Sequence, residues 1–119
     1  MTRKKKDAVG TPGEERPGDD RLSRRLKAAK DALERIRSGQ APTPEELAAA
    51  PRLDFWCIVF DNAFPVFHGV VTGHPHLADG AMIGTSPILW ISEDRTAART
   101  VSRWYRLGVR LGEAIGPRS

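Results

Sequence analysis

The sequence predicts an α+β fold: an N-terminal amphipathic helix, a short helix, a three-stranded antiparallel sheet and a C-terminal amphipathic helix. Three observations predict it. Leu22, Leu26, Ala29, Leu33 and Ile36 recur at spacings of four, three, four and three. The stretch from Leu53 to Ile91 is dense in Val, Ile, Phe and Trp, and turn residues punctuate it. Arg95, Arg99, Arg103, Arg106 and Arg110 then follow at spacings of four, four, three and four.

The leucine spacing is the apolar stripe of a helix with 3.6 residues per turn. Asp19 or Asp20 is placed to cap its start, and Gly39 stands where a left-handed C-terminal cap belongs. Thr43-Pro44-Glu45-Glu46 is a capping box that opens a short helix through Leu47-Ala48-Ala49-Ala50, stopped by Pro51. Strands are expected over Phe55 to Phe60, Phe64 to Thr72 and Met82 to Ile91. Pro65 and Pro87 point to edge positions or strand starts. At 100° per residue the five arginines fall in a stripe about 80° wide, with Val101, Trp104, Leu111 and Ile115 on the other side. That pattern favours a helix opened by Asp94. Thr100, Val101 and Gly108 oppose it.

A chain of 119 residues fits one domain, assigned here to residues 20–116. Residues 1–19 are too polar to bury a core and read as a disordered tail, and residues 117–119 as a short C-terminal one. No run of about 18 apolar residues predicts a membrane span. The basic start Arg3-Lys4-Lys5-Lys6 lacks the apolar stretch of a secretory signal. Cys57 has no partner for a disulfide, so a cytoplasmic location is expected.

Net charge is +4, and it is segregated. Residues 21–38 hold Arg21, Arg24, Arg25, Lys27, Lys30, Arg35 and Arg37 against Asp31 and Glu34. Between Leu53 and Asp94 there is no Lys or Arg. Beyond it the arginines resume, opposed by Glu113. Two basic elements thus bracket a neutral-to-acidic centre.

Several sequence features are shared with a known group of proteins. They are Gly73-His74-Pro75 with Asp79-Gly80, then Thr85-Ser86, then Ala98-Arg99-Thr100-Val101-Ser102-Arg103-Trp104-Tyr105-Arg106-Leu107-Gly108, preceded by a connector starting at Thr43-Pro44. In their order these resemble a family of short bacterial proteins, domain of unknown function 6634. The resemblance spans about Leu33 to Gly108. It implies a bacterial cytoplasmic protein, singles out the turn Gly73, His74, Pro75, Asp79 and Gly80, and implies no activity.

Candidate chemistry is sparse. His68, His74, His76, Asp79 and Cys57 are metal-ligand types in a short span, but His74 and His76 flank Pro75 and no second cluster has zinc-site spacing. A turn with locally bonded histidines is the plainer account. Ser86 or Cys57 with His68 or His74 and Asp79 would be the elements of a nucleophilic triad, yet Ser86 precedes Pro87 and no Gly-x-Ser-x-Gly occurs. Gly69, Gly73, Gly80 and Gly84 form no phosphate-binding pattern. No catalytic residue, metal or cofactor is therefore assigned. The expected role is a non-enzymatic accessory protein contacting nucleic-acid phosphates through Arg99, Arg103, Arg106 and Arg110, with Arg24, Arg25 and Lys4 to Lys6 secondary. The alternative is an adapter, regulator or inhibitor that presents the same arginines to an acidic protein.

Overall fold

The computed structural model describes residues 17–115. Helix α1, Pro17–Arg37, carries the leucine stripe. It begins ahead of the expected Asp19 or Asp20, so residues 17–19 belong to the helix rather than to a tail. The rest of the expected tails, residues 1–16 and 117–119, lies outside the described residues. Gly39 takes φ +77°. Its N–H donates to the Ile36 carbonyl at 3.0 Å, and Gln40 N–H to the Arg35 carbonyl at 2.7 Å. These bonds satisfy the last carbonyls of the helix.

Helix α2, Pro44–Ala49, is opened by a complete capping box. Glu46 N–H donates to Thr43 Oγ1 at 3.1 Å, and Thr43 N–H donates to Glu46 Oε1 at 2.9 Å. The same carboxylate accepts two bonds from the Arg35 guanidinium, at 2.7 and 2.8 Å. One acidic side chain therefore caps α2 and clamps it to the end of α1.

The sheet corrects the expected three-stranded antiparallel meander. It has six strands: β1 Arg52–Asp61, β2 Phe64–Thr72, β3 Ala81–Gly84, β4 Ile88–Ile91, β5 Ala97–Thr100 and β6 Trp104–Leu107. Their order is β3-β2-β1-β6-β5-β4. All neighbours are antiparallel except β1 and β6, which pair in parallel at Arg52 with Arg106 and Leu53 with Leu107. The expected strand Met82 to Ile91 is cut at Thr85-Ser86-Pro87 into β3 and β4. Pro65 lies in β2 beyond the stretch that pairs with β3.

β3 and β4 occupy the two ends of the strand order, yet three residues connect them. Four residue steps reach about 14 Å at most, so the sheet must curl until its edges approach. The link is laced to both sides. Thr85 N–H donates to the Phe67 carbonyl at 2.9 Å, and the Pro87 carbonyl accepts Val101 N–H at 3.0 Å. Ser86 Oγ accepts Ser102 N–H at 3.2 Å, a structural task for the serine weighed as a nucleophile.

The expected C-terminal amphipathic helix is not formed. Residues 97–107 make the β5–β6 hairpin, and only Leu111–Ile115 is helical (α3). The reason is burial on two faces. Ala98 opposes Tyr105 in register, and Arg99 opposes Trp104. Ala98 and Tyr105 enter the core inside the curled sheet with Leu53, Trp56, Phe67, Val71 and Leu107. Trp104 enters a second cluster with Ala32 and Ala50, against which Ile36, Ala41 and Trp90 pack. A helix would bury one of these adjacent aromatics; a strand between two layers buries both. Asp94, the expected helix cap, serves a turn instead. Its Oδ1 accepts the hydroxyls of Ser92 and Thr96 at 2.7 and 2.8 Å, and Thr96 N–H at 3.1 Å.

A bulge in β1 sets the position of Trp56. The register with β2 shifts between Asp54 and Cys57, and Phe55 adopts φ 53°. Phe55 is left outside while Trp56 turns inward, edge-on to Phe67 at 5.5 Å. Its indole N–H donates to the Gly108 carbonyl at 3.1 Å.

Two stability outcomes follow from this packing. Leu53→Ala removes a fully buried side chain at the β1–β6 junction and costs about 2–5 kcal/mol, read in chemical denaturation. Thr43→Ala costs about 1 kcal/mol through loss of the α2 cap. Acid acts on the same element. The Arg35 hydrogen bonds hold the Glu46 carboxyl at about 2, below its ordinary 4.5. Its stabilising contribution is therefore complete above pH 4.5 and is lost as pH falls from there toward 2. Glu46→Gln flattens that part of an acid-unfolding curve.

Candidate functional site

Three segments far apart in sequence meet at one cavity of about 330 Å³. Helix α2 and its exit supply Glu46, Ala49, Ala50 and Pro51. The β2–β3 turn contributes Gly73 and Pro75, and the β5–β6 turn contributes Arg103 and Trp104. Each of the three includes residues on which the family resemblance rests.

The β2–β3 turn holds itself in shape. Gly73 has φ +79° and Gly80 φ +87°, a region that glycine enters without steric cost. Gly73 N–H donates to Asp79 Oδ1 at 2.8 Å, and Gly80 N–H to the Val71 carbonyl at 2.8 Å. His76 N–H donates to His74 Nδ1 at 3.0 Å. Burial, and then the positive field of Arg103, hold His74 below the usual imidazole range. Its neutral form is thus favoured beside the cavity. His68 lies on β2 opposite Cys57 in register, away from this turn. Among the described residues, no group of three or more His, Cys, Asp and Glu side chains converges as a metal site would.

The arginines expected to form one stripe have four different surroundings. Arg99 is only 6% exposed. Its Nε donates to the Thr100 carbonyl at 3.0 Å, and its guanidinium carbon lies 5.2 Å from the centre of the Trp104 ring. Burial lowers its pKa, the Glu46 charge opposes that shift, and Arg103 and Arg35 add to it. Arg103 is half-buried at the cavity. Arg106 is exposed but committed, its Nε donating to the Ala50 carbonyl at 3.0 Å. Arg110 lies over the Trp56 ring at 5.5 Å, and Arg95 occupies an exposed turn with φ 61°. These two border a separate hollow of about 420 Å³ with Trp56, Ile58 and Ile91.

Of the secondary candidates, Arg25 comes to the site and Arg24 stays beside it. Arg25 Nη2 donates to Ser102 Oγ at 3.2 Å, which fastens α1 to the turn that carries Arg103. Arg24 pairs with Asp20 one helical turn away. The structure thus joins Arg25, Arg103 and Arg99 with Gly73, His74 and Pro75, holds Arg106 on the Ala50 carbonyl behind the cavity, and separates Arg110. Sequence reasoning missed Arg35 and Glu46 as parts of this surface and assigned Trp104 to the core alone. The capping box marked Glu46 as a structural residue, but no spacing signals its ion pair with Arg35 across eleven positions. Arg103 and Glu46 line the cavity beside the Trp104 indole, and the field of Glu46 reaches Arg35 and the buried Arg99 behind it.

No curated protein and no solved structure matches the chain significantly. The model of a family of unknown function, DUF6634, matches residues 21–116, from the exposed basic face of α1 through the cavity and the whole sheet, and the chain belongs to that family.

Proposed function

We propose that this chain is a non-enzymatic accessory protein that contacts nucleic-acid phosphates through a composite basic surface. The surface consists of the polar face of α1 around Arg21, Arg24 and Arg25 and the β5–β6 turn at Arg103. One observation carries the reading. The Arg25–Ser102 hydrogen bond, between residues 77 positions apart in sequence, brings Arg25 beside the turn that carries Arg103. Guanidinium groups match phosphate oxygens in fork geometry, and such contacts position a protein on a strand without reading its sequence. Arg99 lies too deep to touch a strand. It adds charge beneath the turn and holds Trp104 in place.

A second reading is favoured by the cavity itself. A hollow of about 330 Å³, walled by Trp104 and Pro75 with Arg103 at its margin, suits an acidic side chain of a protein partner. Both readings take the location to be the cytoplasm, as the lone Cys57 suggests.

Fluorescence anisotropy with labelled single- and double-stranded oligonucleotides tests the first. Affinity is expected to fall steeply between about 50 and 200 mM salt. Arg25→Ala with Arg103→Ala weakens binding to every sequence alike. On duplex DNA it also reduces the salt slope by about 0.9 for each phosphate that is no longer neutralised. Arg110→Ala leaves binding unchanged. Absence of binding in about 50 mM salt, or binding insensitive to salt, sinks the proposal. Recovery of one stoichiometric protein after nuclease treatment selects the second reading.

A further inference from the structure

Helix α1 is longer than the surface it covers. Its 21 residues extend about 30 Å, and its buried side packs on Ala50, Trp104 and Trp90. The C-terminal part of the apolar stripe is docked, with Ala29 and Ala32 at 4% and 3% exposure. The N-terminal part is not: Leu22 and Leu26 are 47% and 51% exposed. From Leu26 a groove of about 350 Å³ continues along Ala29 and Leu33, with Leu89 and Val101 of the sheet as its other wall. Lys30, Arg37 and Glu34 border it.

We infer that this overhanging stripe and its groove bind an acidic amphipathic helix of a partner protein. The stripe itself defines the shape of the occupant. Leu22, Leu26 and Leu33 are spaced four and seven apart, the seam against which a second helix lays its own apolar face. Charge defines its chemistry. On a helical wheel Lys30 and Arg37 flank the stripe beside the groove. Acidic residues flanking a partner's apolar seam meet these cations.

A second copy of the chain is the poorer occupant. It would set the strongly basic α1 against itself, and like charges at close range repel. A nucleic acid is poorer still, because phosphates gain nothing from Leu22 and Leu26. The surface is also distinct from the phosphate-contacting one, which uses Arg25 and Arg103 but none of the leucines.

The test uses the full chain and two synthetic peptides of identical composition. One carries leucines at helical seam spacing with glutamates elsewhere; the other is a scramble that destroys the seam. Titration is followed by methyl resonances. The seam peptide is expected to shift the signals of Leu26, Leu33, Leu89 and Val101, and the scramble to leave them in place. Leu22→Ser with Leu26→Ser, both exposed positions that spare the core, weakens binding by at least about tenfold. Lys30→Glu with Arg37→Glu does the same. Oligonucleotide affinity is unchanged by the serine pair. Failure of the seam peptide to bind at concentrations up to about 1 mM overturns the inference, as does equal binding of the scramble. Sedimentation that shows the free chain self-associating through Leu22 and Leu26 overturns it in favour of a second copy.

Discussion

The parallel pairing of β6 with β1 is the contact on which the other layers rest. It is short, yet bonds from both sides reinforce it. Arg106 N–H donates to the Pro51 carbonyl at 2.9 Å, and Gly108 N–H to the Leu53 carbonyl at 2.7 Å. The indole of Trp56 reaches the Gly108 carbonyl. A Cβ at residue 108 would meet the ends of the Asp54 and Arg52 side chains, so any larger residue there must displace their ion pair. With β6 in place, Trp104 projects toward the helices and Tyr105 toward the core. The helical layer and the curled sheet are thereby fixed relative to one another. The cavity beside Arg103 is a product of that arrangement, since its three walls belong to segments with no local reason to meet.

Where a local rule governs the backbone, the sequence reveals the structure. The leucine period of α1, the Gly39 terminus, the Thr43–Glu46 box and the whole of β2 are written in short-range terms, and each forms as expected. The interval from Arg95 to Arg110 is the opposite case. A strand covered on both faces loses the alternation that marks a half-buried strand. All four residues of β5 are buried, Arg99 among them. Meanwhile the arginines happen to repeat at helical spacing. Thr100, Val101 and Gly108 were the residues that argued against a helix, and the tertiary partners of Trp104 and Tyr105 decide the matter in their favour. The motif turn was legible as a turn. Its neighbours across the cavity were not, because they are joined by folding rather than by spacing.

The fate of the basic residues shows how one residue type is put to several uses. Arg35 holds two helices together through Glu46, and Arg106 bonds a backbone carbonyl. Arg99 and Arg110 lie over tryptophan rings. What remains for recognition is a smaller and differently shaped set than the count of arginines suggests, concentrated on α1 and at one turn. Arg99 is the costliest member. A guanidinium taken out of water must recover its solvation from neighbours, and here an indole, a carbonyl and the field of Glu46 supply it.

The β1–β6 junction has a bearing on how the chain is made. Residue 53 must wait for residue 107 before its strand finds its parallel neighbour, and parallel pairing over such a span closes late. During synthesis α1, α2 and the β1–β2 hairpin leave the ribosome well before β6 exists. In that interval Trp56 and Phe67 lack Tyr105 and Leu107 to cover them, and the curled sheet has an open seam. Completion of the fold thus waits for residue 107. A chain truncated before residue 107 would hold α1, α2 and the β1–β2 hairpin but have no means of sealing its core.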